Sequence, residues 1–303
     1  MLTWEELCTH YKELWTAPRT PGGFSHTKAL WDERAQDWKQ ELSQEGKMTF
    51  LTDRRIQEAV RFLSGKGLLG PESDVIDIGC GPGRFVGAFA RTAHWVTGTD
   101  LSTVMTGLGA EYCAENGIQN VSFVPCDFKT AVPEELGWSK RFDLVFSSMT
   151  PALGPYESFG KMMDMSRGSC CNTACIQSQS TLEQEVARAL GNEAPPPAWD
   201  GRLFYALLNL VWLAGYFPET DYYEITYTEQ LPLDRPALEK ALETLYRGRI
   251  AEGKDLDRVY DHLMGQSRDG VFENQCTYRY GTVLWSVLTR DDRRRAASAG
   301  ILY

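Results

Sequence analysis

Apolar positions in the first 68 residues recur at helical spacing. Trp4, Leu7, Cys8, Tyr11, Leu14 and Trp15 share one face and predict a helix over 4–15, which the stretch Pro18 to Gly23 ends. The same spacing predicts a second helix from about Thr27 to Leu42 and a third from Thr52 to Leu63. After Gly70-Pro71 the texture changes to short apolar runs alternating with amphipathic stretches. Strands are expected over 75–78, 95–99, 121–124, 142–146 and 169–176, with helices over 85–93, 103–116 and 156–165. Strand–helix alternation implies parallel strands covered by helices on both faces. Right-handed crossovers then make an α/β, doubly wound sheet. Past residue 180 the alternation loosens. A helix over 181–190 is followed by the break Pro195-Pro196-Pro197 and a strongly apolar helix over 203–216. Then come a strand over 222–228, helices over 236–249 and 256–264, and a long strand over 275–288.

Composition narrows the setting. The 303 residues, 43% apolar and 24% charged, suit one large or two small globular domains. The pattern divides them into a helical N-terminal cap (1–68), an α/β core (69–180 and 218–303) and a helical insertion (181–217). Net charge is −10, and no basic stripe runs along any face, so nucleic acid is not an expected partner. The single basic cluster, Arg290 with Arg293, Arg294 and Arg295, is interrupted by Asp291 and Asp292 and reads as a solvated tail. The most apolar segment, Leu203 to Phe217, falls short of the ~20 residues that span a bilayer, so no membrane partner is expected. Met1 to Leu14 lacks the basic start and apolar block of a secretory signal. Eight scattered cysteines then point to reduced thiols and a cytoplasmic location. Cys170, Cys171 and Cys175 lack any paired C-x-x-C spacing and read as buried thiols, with no metal expected.

Candidate chemistry centres on Val75 to Phe85, VIDIGCGPGRF. A dinucleotide loop, G-x-G-x-x-G, needs a third glycine at 84 or 86, where Arg84 and Val86 stand; the spacing here is Gly79, Gly81, Gly83. A Walker loop is excluded, since no Gly-Lys-Ser/Thr follows. A ligand on such a sheet sits outside the carboxyl ends of the strands. Asp100 ends the second strand, where a carboxylate can accept both hydroxyls of a ribose; it can equally cap the helix after Leu101-Ser102. Asp127 ends the third strand and can accept from an exocyclic adenine amine, with Cys126 and Phe128 flanking the ring. Ser147 and Ser148 end the fourth strand. Asp77 lies two residues before the glycines, placed to fix the loop or a nearby ammonium group.

This set resembles the class I, Rossmann-like S-adenosylmethionine-dependent methyltransferases. The resemblance rests on residues 75–83, Asp100, Asp127 and Phe142 to Ser147, and covers roughly residues 70–180. It implies a seven-stranded sheet whose last strand runs antiparallel, S-adenosylmethionine as cofactor, and transfer of its methyl group. Other transferases using that donor or its decarboxylated form, and non-catalytic binders, share the fold. The stretch Ala29 to Trp38, ALWDERAQDW, is similar to a helix that precedes the core in many small-molecule members and lies over the cofactor. By that resemblance Trp31 covers the sulfonium and Arg34 meets the methionine carboxylate. Packing along one helical face is the alternative for Trp31. The cofactor set is thus Trp31, Arg34, Asp77, Gly79, Cys80, Gly81, Gly83, Asp100, Leu101, Ser102, Cys126, Asp127, Phe128 and Ser147.

The fourth strand runs into Ser147-Ser148-Met149-Thr150-Pro151, not the Asn/Asp-Pro-Pro-aromatic run of amide and nucleobase methylating relatives, which argues against a DNA or glutamine acceptor; an aromatic-lined pocket suits a small-molecule acceptor. Its expected pocket is Ser148 and Met149, with Tyr205, Asn209 and Trp212 from the 203–217 helix; that helix serves equally as core or as a homodimer seam. The 181–217 insertion is the candidate lid. Of the four histidines, His26, ahead of the Trp31 helix, is best placed as a base.

Overall fold

The computed structural model describes residues 2–17, 26–42, 46–199, 201–236, 238–239, 242 and 254–288. The expected 236–249 helix lies largely outside this set, and the Arg290 to Arg295 cluster wholly so.

Three helices open the chain: α1 (Trp4–Thr16), α2 (Lys28–Leu42) and α3 (Lys47–Gly65). Thr3 and Glu6 close a capping box at the start of α1. Four parallel strands follow: β1 (Asp74–Ile78), β2 (Trp95–Asp100), β3 (Val121–Pro125) and β4 (Phe142–Ser148), joined in parallel to β5 (Ser166–Ser180). Helices α4 (Arg84–Ala90), α5 (Thr103–Glu115) and α6 (Glu157–Met165) make the crossovers. Beyond them lie α7 (Thr181–Ala189), α8 (Arg202–Leu213), β6 (Glu219–Pro232), α9 (Lys254–Gln266) and β7 (Val271–Ser286). The sheet order is β3-β2-β1-β4-β5-β7-β6, with a two-residue strand, Ala198–Trp199, paired to β5. Strand order reverses between β1 and β4, which opens a crevice at their carboxyl ends.

Strand β7 is antiparallel to both neighbours. Glu224 meets Arg279, Thr226 meets Thr277 and Gln230 meets Glu273, so numbers rise on one strand as they fall on the other. Thr173 meets Thr282 and Gln177 meets Arg279 in the same sense on β5. Strands β5, β6 and β7 are longer than expected. The extra residues of β5, Gln177-Ser178-Gln179-Ser180 among them, are polar on both faces and carry no alternation to read.

Contacts divide the chain into two units: residues 1–174, 201–223 and 280–303, and residues 175–200 and 224–279. In the first, alternate strand positions sort to the two faces. Val75, Val96, Leu144, Phe146 and Cys171 join Leu63, Phe85, Val86 and Phe89 in one buried cluster. Phe89 meets Phe146 edge-on, with centroids 5.0 Å apart. On the opposite side Cys170 donates to the Met162 carbonyl of α6 at 3.4 Å, and Phe159 packs on Trp285. The second unit has its own core of Leu182, Val186, Leu233, Val259, Leu263 and Phe272. Its α7 begins under Asn274, which accepts from the Leu182 N–H at 3.0 Å and from the Ser180 hydroxyl at 2.8 Å. The 181–217 stretch is thus shared, with 181–200 in the second unit and α8 in the first.

Candidate functional site

The β1–α4 turn shapes a cleft in the first unit. Gly79, Gly81 and Gly83 all have φ between 52° and 72°, the left-handed region open to glycine at little cost. Gly79 N–H and Cys80 N–H both donate to the Thr99 carbonyl, at 2.7 and 3.0 Å, so the turn is laid across the end of β2. Gly79 has a further reason to be glycine. A Cβ there would overlap the Thr150 side chain, which seals the turn from the β4 side. Thr150 in turn accepts from Ala152 N–H at 3.1 Å, capping the short turn Pro151–Leu153. Trp15 Nε1 donates to the Leu153 carbonyl at 3.0 Å and ties that turn to α1.

Asp100 stands at the centre of the cleft. Its Oδ2 accepts from Gly81 N–H at 3.0 Å and its Oδ1 from Ser102 N–H at 2.9 Å. One lone pair per oxygen remains open to a ligand. Burial pushes its carboxyl up, against the pull of these backbone donors. Asp77 is 2% exposed, and burial, with Asp100 nearby, pushes its carboxyl up to about 8 despite Arg55. Asp77 Oδ2, Arg55 Nε, Arg84 Nε and Ser148 Oγ are buried without a hydrogen-bond partner among the described residues. Four polar atoms in want of partners around one cleft point to a polar ligand.

Of the residues expected at the site, the cleft brings together His26, Trp31, Asp77, Gly79, Cys80, Gly81, Asp100, Leu101, Cys126, Asp127, Phe128, Ser148 and Met149. His26 and Trp31 stack at 5.8 Å with 9° between their planes. Met149 holds a left-handed φ of 53°, unusual for a side-chain-bearing residue, and is 47% exposed.

The other expected residues lie elsewhere. Arg34 stacks its guanidinium on the Trp31 ring and does not line the cleft. Gly83 starts α4, and its missing side chain makes room for Gly109 and Phe123. Ser102 caps α5, and Ser147 is fully buried, its hydroxyl accepting from Asn172 Nδ2 at 2.9 Å. Tyr205, Asn209 and Trp212 do not reach the cleft, because the face of α8 that carries them meets α1. Tyr205 and Tyr11 hydroxyls are 3.4 Å apart, and Trp212 packs on Trp4. Asn209 donates to the Tyr205 carbonyl at 2.7 Å. Cys170 and Cys171 are buried free thiols, and among the described residues no group of three or more His, Cys, Asp or Glu is gathered to hold a metal ion.

The sequence reading missed Trp38, Thr52, Arg55, Lys129 and Thr150 as cleft residues. Arg55 had a signal: Thr52, Arg55 and Ala59 share one helical stripe, so a charge stands in a register that is otherwise buried. Its guanidinium lies over the rings of Phe85 (5.6 Å) and Tyr280 (6.0 Å). Arg84, beside the glycines, also lines the cleft; its Nη2 donates to Asp53 at 2.5 Å while its Nε has no partner among the described residues.

Residues 75–164, which span β1 to α6, match the model of a methyltransferase domain. This stretch of the chain carries a methyltransferase domain. A methyltransferase domain agrees with the S-adenosylmethionine donor expected from residues 75–83 and Asp100. Among solved structures, the chain is similar to one described as a putative methyltransferase from Bacillus halodurans, at 15% identity over 75% of this chain and 98% of that one, with a TM-score of 0.46. It is also similar to magnesium protoporphyrin IX methyltransferase from Synechocystis (13% identity, 84% of this chain and 96% of that one, TM-score 0.44). A third is a putative sarcosine dimethylglycine methyltransferase from Galdieria sulphuraria (13% identity, 93% and 98%, TM-score 0.42). The cleft holds no conflict with that donor: Asp100 can accept from further hydroxyls, and the unpartnered Asp77 and Arg55 atoms offer an acceptor and a donor. Among the described residues, no helix is long and apolar enough to cross a membrane.

Proposed function

We propose that the chain transfers the donor's methyl group to a small organic acceptor, with the cleft residues in the following roles. Asp100 accepts from the two ribose hydroxyls. Asp127 accepts from the adenine amine, with Cys126 and Phe128 against the ring. Asp77 and Arg55 receive the ammonium and carboxylate of the methionine end, Arg55 taking the part expected of Arg34. The observation that carries this reading is the pair of buried, unpartnered atoms, Asp77 Oδ2 and Arg55 Nε, in the same cleft as Asp100. A zwitterion satisfies both at once, and a buried charge left without a partner is costly. The same pair favours the intact donor over its decarboxylated form, which has nothing to offer Arg55.

Bound S-adenosylmethionine supplies a methyl group already activated on a sulfonium. What remains for the protein is alignment and exclusion of water. Trp31 and Trp38 cover the cleft, while Ser148, Met149 and Pro151 form its wall beyond β4. The unpartnered Ser148 hydroxyl is placed to orient the acceptor. His26, held against Trp31, takes the acceptor's proton onto its imidazole. Net charge and the absence of a basic stripe support a small molecule over nucleic acid.

The test is incubation of purified protein and methyl-labelled donor with the small-molecule fraction of a cell extract. Label is expected in a small organic product. Label in nucleic acid or protein alone, or in nothing, refutes the acceptor class.

A further inference from the structure

We propose that Asp32 is the positioning residue that docks α2 over the donor cleft, and that this docking is coupled to donor binding through Ser102. The proposal rests on the cleft being the donor site. Helix α2 brings Trp31 and Trp38 to the cleft; among its described residues Ala35 is the fully buried apolar side chain, and both tryptophans keep some exposure. Two of its polar ties meet at one carboxylate. Asp32 Oδ1 accepts from the Ser102 hydroxyl at 2.6 Å, and Oδ2 from Lys28 Nζ at 2.6 Å. Lys28 continues to the Thr103 hydroxyl at 3.0 Å. Another tie, Lys39 to Glu111 at 3.2 Å, is exposed at both ends and contributes little.

Ser102 makes the connection directional. It caps α5, accepting from Met105 N–H at 3.0 Å, so its one hydroxyl proton is committed to Asp32. The Asp32 carboxylate therefore lies against the first turn of α5, where a helix favours negative charge. Hydrogen bonds from Lys28 and then Ser102 hold its carboxyl below the usual range. The backbone N–H of the same Ser102 goes to Asp100 Oδ1 at 2.9 Å. One residue thus joins the ribose carboxylate to the carboxylate that anchors α2. A ligand that fixes Asp100 fixes Ser102, and with it the donor to Asp32. By linkage, docking of α2 then strengthens ligand binding by the same factor.

Hydrogen–deuterium exchange of the full chain, with and without S-adenosylhomocysteine, tests this alongside calorimetry. In the unmodified protein the ligand should slow exchange across residues 28–39 about tenfold, together with the 79–83 loop. In Asp32→Ala the loop should still be protected, protection of 28–39 should vanish, and affinity should fall about tenfold. Lys28→Ala, a change at an exposed side chain, should give a smaller effect in the same direction, as should Asp32→Asn. Ligand-induced protection of 28–39 that survives in both Asp32→Ala and Lys28→Ala overturns the proposal. No heat and no protection anywhere in the unmodified protein overturns the donor reading itself.

Discussion

At the residue scale, the cleft is organised by two aspartates with different duties, Asp77 buried and Asp100 half-buried. Asp100 already holds two backbone donors, so its role is to add ligand hydroxyls to a fixed frame. Charged hydrogen bonds of this kind contribute about 1.5–3 kcal/mol each. Asp100→Ala should therefore weaken S-adenosylhomocysteine binding by roughly 10- to 100-fold in calorimetry; unchanged affinity would remove the ribose assignment. Asp77 is the strained partner. Its carboxyl is pushed up to about 8 by burial, so the folded state favours the protonated form. Stability is then highest where Asp77 is protonated in both states, below about pH 4, and declines as pH rises toward 8. Asp77→Asn should accordingly raise the melting temperature at pH 8–9 but not at pH 4, while weakening ligand binding at both. A variant no more stable than the parent at pH 9 would contradict the buried, unpartnered carboxylate. The sequence made Asp77, Asp100 and the glycines legible because they lie in one local run and at strand ends. Arg55 and Thr150 were not, because each reaches the cleft only after distant segments pack.

At the element scale, β2, α4 and α5 are held together by the absence of side chains. A Cβ at Gly98 would lie 2.9 Å from the Phe123 ring, and one at Gly109 2.5 Å from it. Phe123 of β3 fills the space these glycines leave. Overpacking at such a contact costs typically 1–3 kcal/mol. Gly98→Ala should lower stability by about that amount in urea unfolding, and Phe123→Ala in the same chain should recover part of it. Additive losses would show that the ring does not impose the requirement. Strand–helix alternation between 74 and 176 was readable because short apolar runs there alternate with longer, more mixed stretches. Helix α8 illustrates the converse. Its apolar pattern announced a buried helix, yet periodicity carries no information about which neighbour covers which face. Tyr205 and Trp212, each 46% exposed, therefore lie beside α1 and not at the cleft.

At the scale of the whole molecule, two cores share one chain. Every residue lining the donor cleft belongs to the first. The second is tied down by Asn274, whose side-chain oxygen serves Ser180, Thr181 and Leu182. Asn274→Ala leaves those donors unsatisfied, a loss of about 1–3 kcal/mol per buried group. Exchange should accelerate across 181–189 while β1 and β4 stay protected. Equal acceleration in both units would show that they open as one. The sequence separated core from tail by the loosening after residue 180 but placed the division differently. Polar extensions of β5 and β6 look like loop until their hydrogen-bond partners are known.

The contact between Thr150 and Gly79 bears on how such a protein changes substrates. The segment after β4 is the natural place for drift toward a new acceptor, since it lines the cleft without forming the donor loop. Yet its first residues rest on the donor turn, and the turn's glycine is fitted to a threonine. Evolution, or a designer exchanging this loop between relatives, is therefore free to vary Met149 and the residues beyond Thr150. Thr150 itself must be inherited together with Gly79, as a single unit.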